Sequence, residues 1–298
     1  MARFRDGTIE APVLHNGASM RSKGLRISGI LLLLAASPAL AQVASAPVSA
    51  ATPAISPRQH APRKVAGLRP DRVIDNVTVS DSTNWSGYAV TGSSFTQAKG
   101  SWIVPSVNCT TTPNTYAAFW VGIDGWTSST VEQTGTDSDC NGTTPSYYSW
   151  YEFYPKFSYL ISSVSVAPGH HMSAEVSYSG TEFTATITNE TTGQSFSISS
   201  KVNRAKRSSA EWIAEAPCCT NGGGILPLSD FGTVDFGEDY TGISDTNYAT
   251  DSSVSGPISA FGAGVNESIM VSSSGADEAV PSSLSSDGSS FTVAWKSE

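Results

Sequence analysis

The sequence predicts an all-β protein, a single domain built as a two-sheet antiparallel β-sandwich. The main observation is a period-two alternation of apolar and polar residues, typical of antiparallel strands with one buried face. From Thr83 onward, Gly, Ser, Thr and aromatic residues dominate, and no amphipathic helix of useful length appears. About a dozen strands in roughly 215 residues favour two stacked sheets.

The alternation is clearest in four segments. Each places apolar residues at every second position, and the residues between them are Ser, Thr or Glu except for Ala294. A turn signal, residues 189–193, separates two of the four and predicts a hairpin. The segments are 172–178, 183–188, 196–198 and 291–295.

Residues 1–41 have the organisation of a secretory signal peptide. Basic residues follow Met20, an apolar run covers 30–36, and Ala39 to Ala41 form a small-residue cleavage motif. The apolar run is far shorter than the roughly 20 residues that cross a bilayer. We therefore expect secretion, cleavage after Ala41 and no membrane anchor afterwards. Met20 is the expected initiator, with residues 1–19 upstream of the true start.

Charge divides the chain near residue 81. Residues 1–81 carry ten Lys/Arg and five Asp/Glu, whereas residues 82–298 carry seven Lys/Arg and twenty-one Asp/Glu. Residues 42–80 are rich in Ala, Pro, Ser and basic residues, which predicts a disordered basic pro-segment. A β-sandwich domain is then expected over 81–298.

The composition excludes several function classes. An acidic body argues against nucleic acids and anionic membranes as partners. G-x-S-x-G, H-E-x-x-H and D-[ST]-G are all missing, and His15 and His60 fall in the leader and the pro-segment. The histidines of the body, His170 and His171, follow a Pro-Gly turn and are expected to be solvated. Serine-, zinc- and paired-aspartate hydrolases therefore lack support, and we expect neither metal nor cofactor.

Four cysteines are present, and an exported protein is expected to oxidise them. We favour a disulfide between Cys109 and Cys140, worth roughly 3–4 kcal/mol in the chain-entropy model. Cys218 and Cys219 are adjacent, and a bond between them would be strained. Their state stays open at this point.

Five short segments place polar residues inside aromatic strands. Any one alone is weak evidence, because a Gln or Glu on a strand is usually a surface residue or a satisfied polar one. Their ordered occurrence in one chain is specific. They read N-W-S-G-Y from Asn84, W-V-G-I-D-G from Trp120, Q-T-G from Gln133, W-Y-E-F-Y-P from Trp150 and A-E-W-I-A-E from Ala210.

With these segments, residues 83–298 resemble the eqolisins, the glutamic peptidases of peptidase family G1. The resemblance implies a lectin-like (concanavalin A-like) sandwich and an acid-active endopeptidase with a catalytic pair of one Gln and one Glu. The matching positions are Gln133 in Q-T-G and Glu215, the second acid of A-E-W-I-A-E. Protein or peptide substrates and a monomeric enzyme are expected.

The resemblance also implies residues that line or support the cleft, namely Trp120, Asp124 and Glu152. Trp126, beside the Asp124 turn, is a further candidate for the cleft lining. Glu211 lies four residues before Glu215 and so points to the same face of a strand. It is the rival for the role of catalytic acid.

The chemistry is consistent with this resemblance. Hydrolysis of a peptide by water needs a base, an acid for the leaving nitrogen and a donor for the oxyanion. One carboxyl can serve as base and then acid, and a Gln amide can donate at any pH. The basic pro-segment is expected to restrain such an enzyme until acid neutralises the carboxylates that attract it.

Two other classes remain open from the sequence. A glycoside hydrolase could use Glu152 and Glu215 as paired acids, and a lectin-like module could use Trp126 as a stacking platform. The arrangement of side chains in the cleft discriminates among the three. A Gln amide beside one Glu favours the peptidase, whereas two facing Glu residues without it favour the glycosidase.

Overall fold

Strands dominate the computed structural model, which describes residues 57–218 and 224–298. Two short helices accompany them, α1 (Glu238–Thr241) and a 3-10 helix (Ile258–Gly264). The strands are β1 (Arg72–Ile74), β2 (Val77–Ser82), β3 (Trp85–Thr91), β4 (Gln97–Ile103), β5 (Ala118–Ile123), β6 (Val131–Asn141), β7 (Thr144–Tyr154), β8 (Tyr159–Ile161), β9 (His171–Ser179), β10 (Glu182–Asn189), β11 (Gln194–Ser200), β12 (Ser209–Glu215), β13 (Thr233–Phe236), β14 (Tyr248–Thr250), β15 (Ser255–Pro257), β16 (Val265–Val271), β17 (Asp277–Pro281) and β18 (Phe291–Trp295).

The strands form two layers. The first layer runs β8, β7, β6, β5, β12, β3, β16, β2 and β1 in hydrogen-bonded order, and its one parallel pair is β2 with β16. In the second layer β11, β10, β9 and β4 are neighbours, and β14 and β13 pair with β4 further along. β17 pairs with both β16 and β18 and so links the layers. The all-β prediction is confirmed.

The main hydrophobic core lies between the layers. Because side chains alternate along a strand, β12 turns Trp212 into this core, where Trp102 and Phe119 are also fully buried. The predicted alternation of β9 and β10 is confirmed, with Met172 and Ile187 on the buried face. This face positions the strands without carrying the polar residues of the sequence motifs.

The opposite face of the first layer carries a second aromatic cluster. Trp85, Trp120 and Trp150 pack there with Ile213 from β12. The residues flanking Ile213 at period two, Glu211 and Glu215, point to the same side. The motif residues therefore gather on a face that does not pack against the second layer.

One part of the predicted pro-segment differs from the expectation of disorder. Residues 57–66, named the cleft segment below, lie on the second aromatic cluster, and β1 and β2 follow. Arg69 bonds the carboxylates of Asp81 and Asp277, at 2.6 and 3.0 Å. The composition of the segment did not predict this ordered structure, because the residues that stabilise it belong to the acidic body rather than to the segment itself.

The disulfide between Cys109 and Cys140 is formed, as predicted. Cys218 is buried, whereas Cys219, the signal peptide and residues 42–56 lie outside the described residues. Within the described ranges, no helix is both long and apolar enough to cross a membrane.

Candidate active site

Gln133 lies in the middle of the first layer, on β6. It is paired with Gly122 of β5 on one side and with Glu152 of β7 on the other. Directly opposite residues share a face of the sheet, and the amide Nε2 of Gln133 donates to Oε2 of Glu152 at 3.1 Å. Both side chains are fully buried. The sheet register thus aligns an amide and a carboxyl that are 19 residues apart in the chain.

Glu215 ends β12, where it lies opposite Ala118 of β5. The indole Nε1 of Trp120 donates to its Oε2 at 2.7 Å, whereas Oε1 has no hydrogen-bond partner among the described residues. Burial raises the pKa of Glu215 well above its usual value, and repulsion from Glu152 adds to this; the Trp120 hydrogen bond opposes the increase. Trp120 thus holds one oxygen of the Glu215 carboxyl in place.

Gln133 and Glu215 meet at a common residue, His60 of the cleft segment. Nε2 of Gln133 donates to the backbone oxygen of His60 at 2.8 Å. The Nδ1 atom of the His60 ring lies 3.4 Å from Oε2 of Glu215. The backbone N–H of His60 donates to Glu152 at 2.9 Å. Three predicted site residues therefore surround one residue of an extended backbone.

A second acidic group, Asp137 and Asp139, lies on the same face of β6. Tyr148 donates its hydroxyl to both, at 2.7 and 3.0 Å. Burial raises the pKa of Asp139 to about 7, although Tyr148 and Arg58 act against it. Burial and the charge of Asp139 raise the pKa of Asp137 well above its usual value. This end of the cleft therefore favours protonated carboxyls.

Asp124 and Trp126, two further predicted site residues, make contacts that differ from those of Gln133 and Glu215. The carboxylate of Asp124 accepts backbone N–H groups from residues 206, 207 and 208, at 2.7 to 3.0 Å. Asp124 therefore braces a loop behind the cleft. Trp126 lies beneath the cleft segment, with the guanidinium of Arg63 at 3.9 Å from its ring. It lines the path of a bound chain.

The rival acid, Glu211, lies apart from the contacts around His60. It is fully buried, and burial raises its pKa well above the usual value, with further repulsion from Asp124 and Glu132. The pKa of Glu132 is raised in the same way, by burial and by Asp124. These carboxyls form a separate buried acidic group, with no contact to the cleft segment among the described hydrogen bonds and ion pairs.

Sequence reasoning missed three members of the site. The sequence places His60 in a segment that is expected to be disordered, and it gives neither Trp150 nor Asp137 a role in the site. Asp137 carried a usable signal, because it follows Gln133 by four positions on one strand and so shares its face. His60 carried none, since its partners are 73 and 92 positions away. Among the residues that the structure covers, no cluster of three His, Cys, Asp or Glu is arranged to hold a metal ion.

Comparisons with known proteins find peptidases among the relatives of this chain. The chain is 32% identical to aspergillopepsin-2 of Aspergillus niger over 178 residues, which are 52% of this chain and 62% of that protein. It is 35% identical to scytalidopepsin B of Scytalidium lignicola over 180 residues, which are 56% of this chain and 67% of that protein. The match to aspergillopepsin-2 thus spans less than two thirds of its length.

Solved structures give the same result. Scytalido-glutamic peptidase, crystallised with a transition state analog inhibitor, superposes with a TM-score of 0.60 at 26% identity, covering 72% of this chain and 98% of that one. Aspergilloglutamic peptidase from Aspergillus niger has a TM-score of 0.50 at 30% identity, covering 61% of this chain and 99% of that one.

The family model described as the peptidase A4 family matches residues 83–291, more than two thirds of the chain. Its span contains Gln133 and Glu215 together with all five sequence motifs. The resemblance to glutamic peptidases is therefore confirmed, and the chain belongs to the peptidase A4 family.

Proposed function

We propose that this chain is a secreted acid endopeptidase in which Glu215 activates water and Gln133 binds the developing oxyanion. One observation carries the proposal. The Gln133 amide and the Glu215 carboxyl both contact His60 of an extended backbone, the amide at its carbonyl oxygen, 2.8 Å away. A peptide substrate bound in the same way would present its scissile carbonyl to Gln133.

Glu215 acts as base and then as acid. The Glu215 carboxylate accepts a proton from the water that attacks the carbonyl carbon. The same proton then passes to the leaving nitrogen as the C–N bond breaks, which produces one carboxyl and one amino terminus. Trp120 holds Oε2 throughout and stabilises the ionised form of the base.

Gln133 donates to the oxyanion, and Glu152 orients it. Oε2 of Glu152 accepts a hydrogen bond from Nε2 of Gln133 at 3.1 Å, and this contact fixes which end of the Gln133 amide points into the cleft. A neutral amide keeps its donor at every pH, so the oxyanion contact does not titrate. Loss of one such donor typically costs about 10²–10³ in rate.

Acid pH suits this group of carboxyls. Glu152 and Asp137 both repel the charge of Glu215. Carboxyls this close cannot all ionise together. In acid, Glu152 and Asp137 keep their protons, because burial raises the pKa of each. Glu215 must lose its proton to act as the base, and the Trp120 hydrogen bond favours this because it opposes the increase in the pKa of Glu215.

The glycoside hydrolase alternative has no supporting observation. Paired Glu152 and Glu215 would satisfy it only if both faced one another across an open cleft. Glu152 is instead bonded to the Gln133 amide, which a glycosidase does not require. A Gln amide beside a Glu is the arrangement that favours a peptidase.

Secretion and maturation complete the proposal. Residues 1–41 direct export, and residues from 42 to about 80 are a removable pro-segment. Strand β2 (Val77–Ser82) pairs with β16, so a cut inside it would remove a strand from the sheet. We expect the new amino terminus of the matured chain to lie between Asp71 and Thr83, with the cut before Val77.

The test is hydrolysis of an unfolded protein by the purified chain across about pH 2 to pH 7. Activity confined to acid and unaffected by chelators or by serine- and cysteine-directed reagents is expected. Peak activity near neutral pH, or loss with EDTA, contradicts the mechanism.

Three variants assign the residues. Glu215→Gln and Gln133→Ala are expected to lose nearly all turnover while remaining folded, with the Gln133 variant down by about 10²–10³. Glu211→Gln is the matched control, since it changes an equally buried carboxyl of the same strand. An active Glu215→Gln beside a dead Glu211→Gln would reverse the assignment.

A further inference from the structure

The cleft segment follows the path expected of a bound peptide. Gln59 exchanges two backbone hydrogen bonds with Cys218, at 2.9 and 3.3 Å. Further along, Arg63 N–H donates to the backbone oxygen of Gly125 at 3.1 Å. Between these points, the backbone oxygen of Ala61 accepts from the Trp85 indole at 3.1 Å. Main-chain contacts of this kind hold a strand whatever its side chains are.

His60 is the central residue of the segment and is fully buried. Its imidazole stacks on the indole of Trp150, with ring centroids 3.6 Å apart and planes 7° from parallel. Its Nδ1 lies 3.4 Å from Oε2 of Glu215, and its Nε2 lies 3.7 Å from Oδ1 of Asp137. Burial lowers the pKa of the imidazole well below its usual value.

The backbone and the side chain of His60 therefore meet different halves of the dyad. The carbonyl oxygen is hydrogen-bonded to Gln133, as a scissile carbonyl would be. The ring lies against the Glu215 carboxyl, which is fully buried beneath the segment. Hydrolysis requires a water between these same two groups, within about 3 Å of both the base and the carbonyl carbon.

We propose that His60 makes the cleft segment an inhibitor rather than a substrate, because its ring takes the place of the attacking water beside Glu215. The inference rests on the proposed peptidase function and goes beyond it. The segment presents its own carbonyl to the oxyanion donor, and the ring keeps water away from the bond between His60 and Ala61.

The proposal predicts a conversion of inhibitor into substrate. A His60→Ala change removes the ring and leaves room for a water, which occupies about 30 Å³ in the liquid. Water then adds to the carbonyl carbon of residue 60, the C–N bond to Ala61 breaks, and Glu215 delivers a proton to the leaving nitrogen. The products are a carboxyl terminus at residue 60 and an amino terminus at Ala61.

Two variants accompany His60→Ala. His60→Phe keeps a flat ring on Trp150 without the ring nitrogens, so it still excludes the water. Gln59→Ala is the matched control, since the contacts of Gln59 with Cys218 come from its backbone alone. Each chain is also made with Glu215→Gln, so that any cut by a contaminating protease appears in both versions.

The first experiment acidifies each full chain and maps its termini by mass spectrometry. The His60→Ala chain is expected to be cut between residues 60 and 61 at least tenfold faster than the wild type, and the His60→Phe and Gln59→Ala chains are expected to resist. A His60→Ala chain that digests added unfolded protein but keeps this bond overturns the proposal. Equal cutting in the His60→Phe chain overturns it too.

A second measurement works in trans and does not depend on how the variants fold. A synthetic peptide covering residues 57–66 is added to the matured enzyme, with unfolded protein as the reporter substrate. The wild-type peptide is expected to inhibit and remain whole, whereas the peptide with His60→Ala is cut. Hydrolysis of the wild-type peptide at His60 contradicts the inference. Failure to digest the reporter without peptide contradicts the proposed function instead.

Discussion

The buried acids Glu132 and Glu211 predict an unusual dependence of stability on pH. Both side chains are fully buried, and burial raises the pKa of each well above its usual value. In the unfolded chain a Glu releases its proton near pH 4.3. Above this pH and up to the folded pKa, the folded protein therefore holds a proton that the unfolded chain has lost.

The sign and magnitude follow from this difference. Unfolding releases the extra proton, so the free energy of unfolding is highest below about pH 4.3 and falls as pH rises. Each such carboxyl costs about 1.4 kcal/mol per pH unit. A carboxyl that stays protonated up to pH 7 thus costs about 3–4 kcal/mol there. The acid-stable protein should weaken toward neutral pH.

Glu211→Gln isolates this effect, because an uncharged amide of similar shape has no proton to lose. We expect little change in the melting temperature near pH 4 and an increase at pH 7, by about 2–4 °C for each kcal/mol that the buried carboxyl costs there. The control is Glu182→Gln, which changes an exposed acid at the start of β10. This variant should change the melting temperature by the same amount at pH 4 and at pH 7.

The assay is thermal unfolding followed by circular dichroism, at pH 4 and pH 7. All chains carry Glu215→Gln, so that the active enzyme does not digest its own unfolded form. The reasoning is refuted if Glu211→Gln stabilises no more at pH 7 than at pH 4. That result would mean that Glu211 is ionised in the folded protein.

Three further predictions concern single contacts. Trp120→Phe removes the hydrogen bond that lowers the pKa of Glu215, so the acid limb of the pH profile of kcat/KM should move up by about one pH unit. An unmoved limb would mean that the indole does not affect the pKa of the catalytic base. Gly135→Ala places a Cβ in collision with the backbone oxygen of Phe119 in β5, and denaturant unfolding should show a loss of about 3 kcal/mol. Reduction of Cys109 and Cys140 should cost about 3–4 kcal/mol, measured in the same way with and without reductant.

Much of the candidate site was predictable because it depends on local pattern. The alternation along β12 predicts that Glu211 and Glu215 share a face, and the structure has them there. It does not predict which acid meets Gln133. That choice depends on which strands lie beside β12, and the Trp120 indole reaches Glu215 across a gap of 95 residues. Pairing over such distances leaves no signal in the local sequence.

Asp124 shows that a motif can identify a residue without revealing its contacts. The resemblance implied a residue that lines or supports the cleft, and the carboxylate of Asp124 accepts backbone N–H groups from residues 206–208. Three N–H donors satisfy the carboxylate and leave little of it for a ligand. The motif thus identified an important residue without giving its task.

By itself, the sequence determined the strand content, because period-two patterning is a local property, and it pointed to the candidate pair of Gln133 and Glu215 through motifs that resemble those of the glutamic peptidases. Only the tertiary structure decided that His60 lies against Glu215. As a sequence, the surroundings of His60 are basic and proline-rich, a composition that cannot bury a core of its own. The burial, the Trp150 ring and the carboxyls that hold it are supplied by strands 73 to 155 positions away, and only folding brings them together.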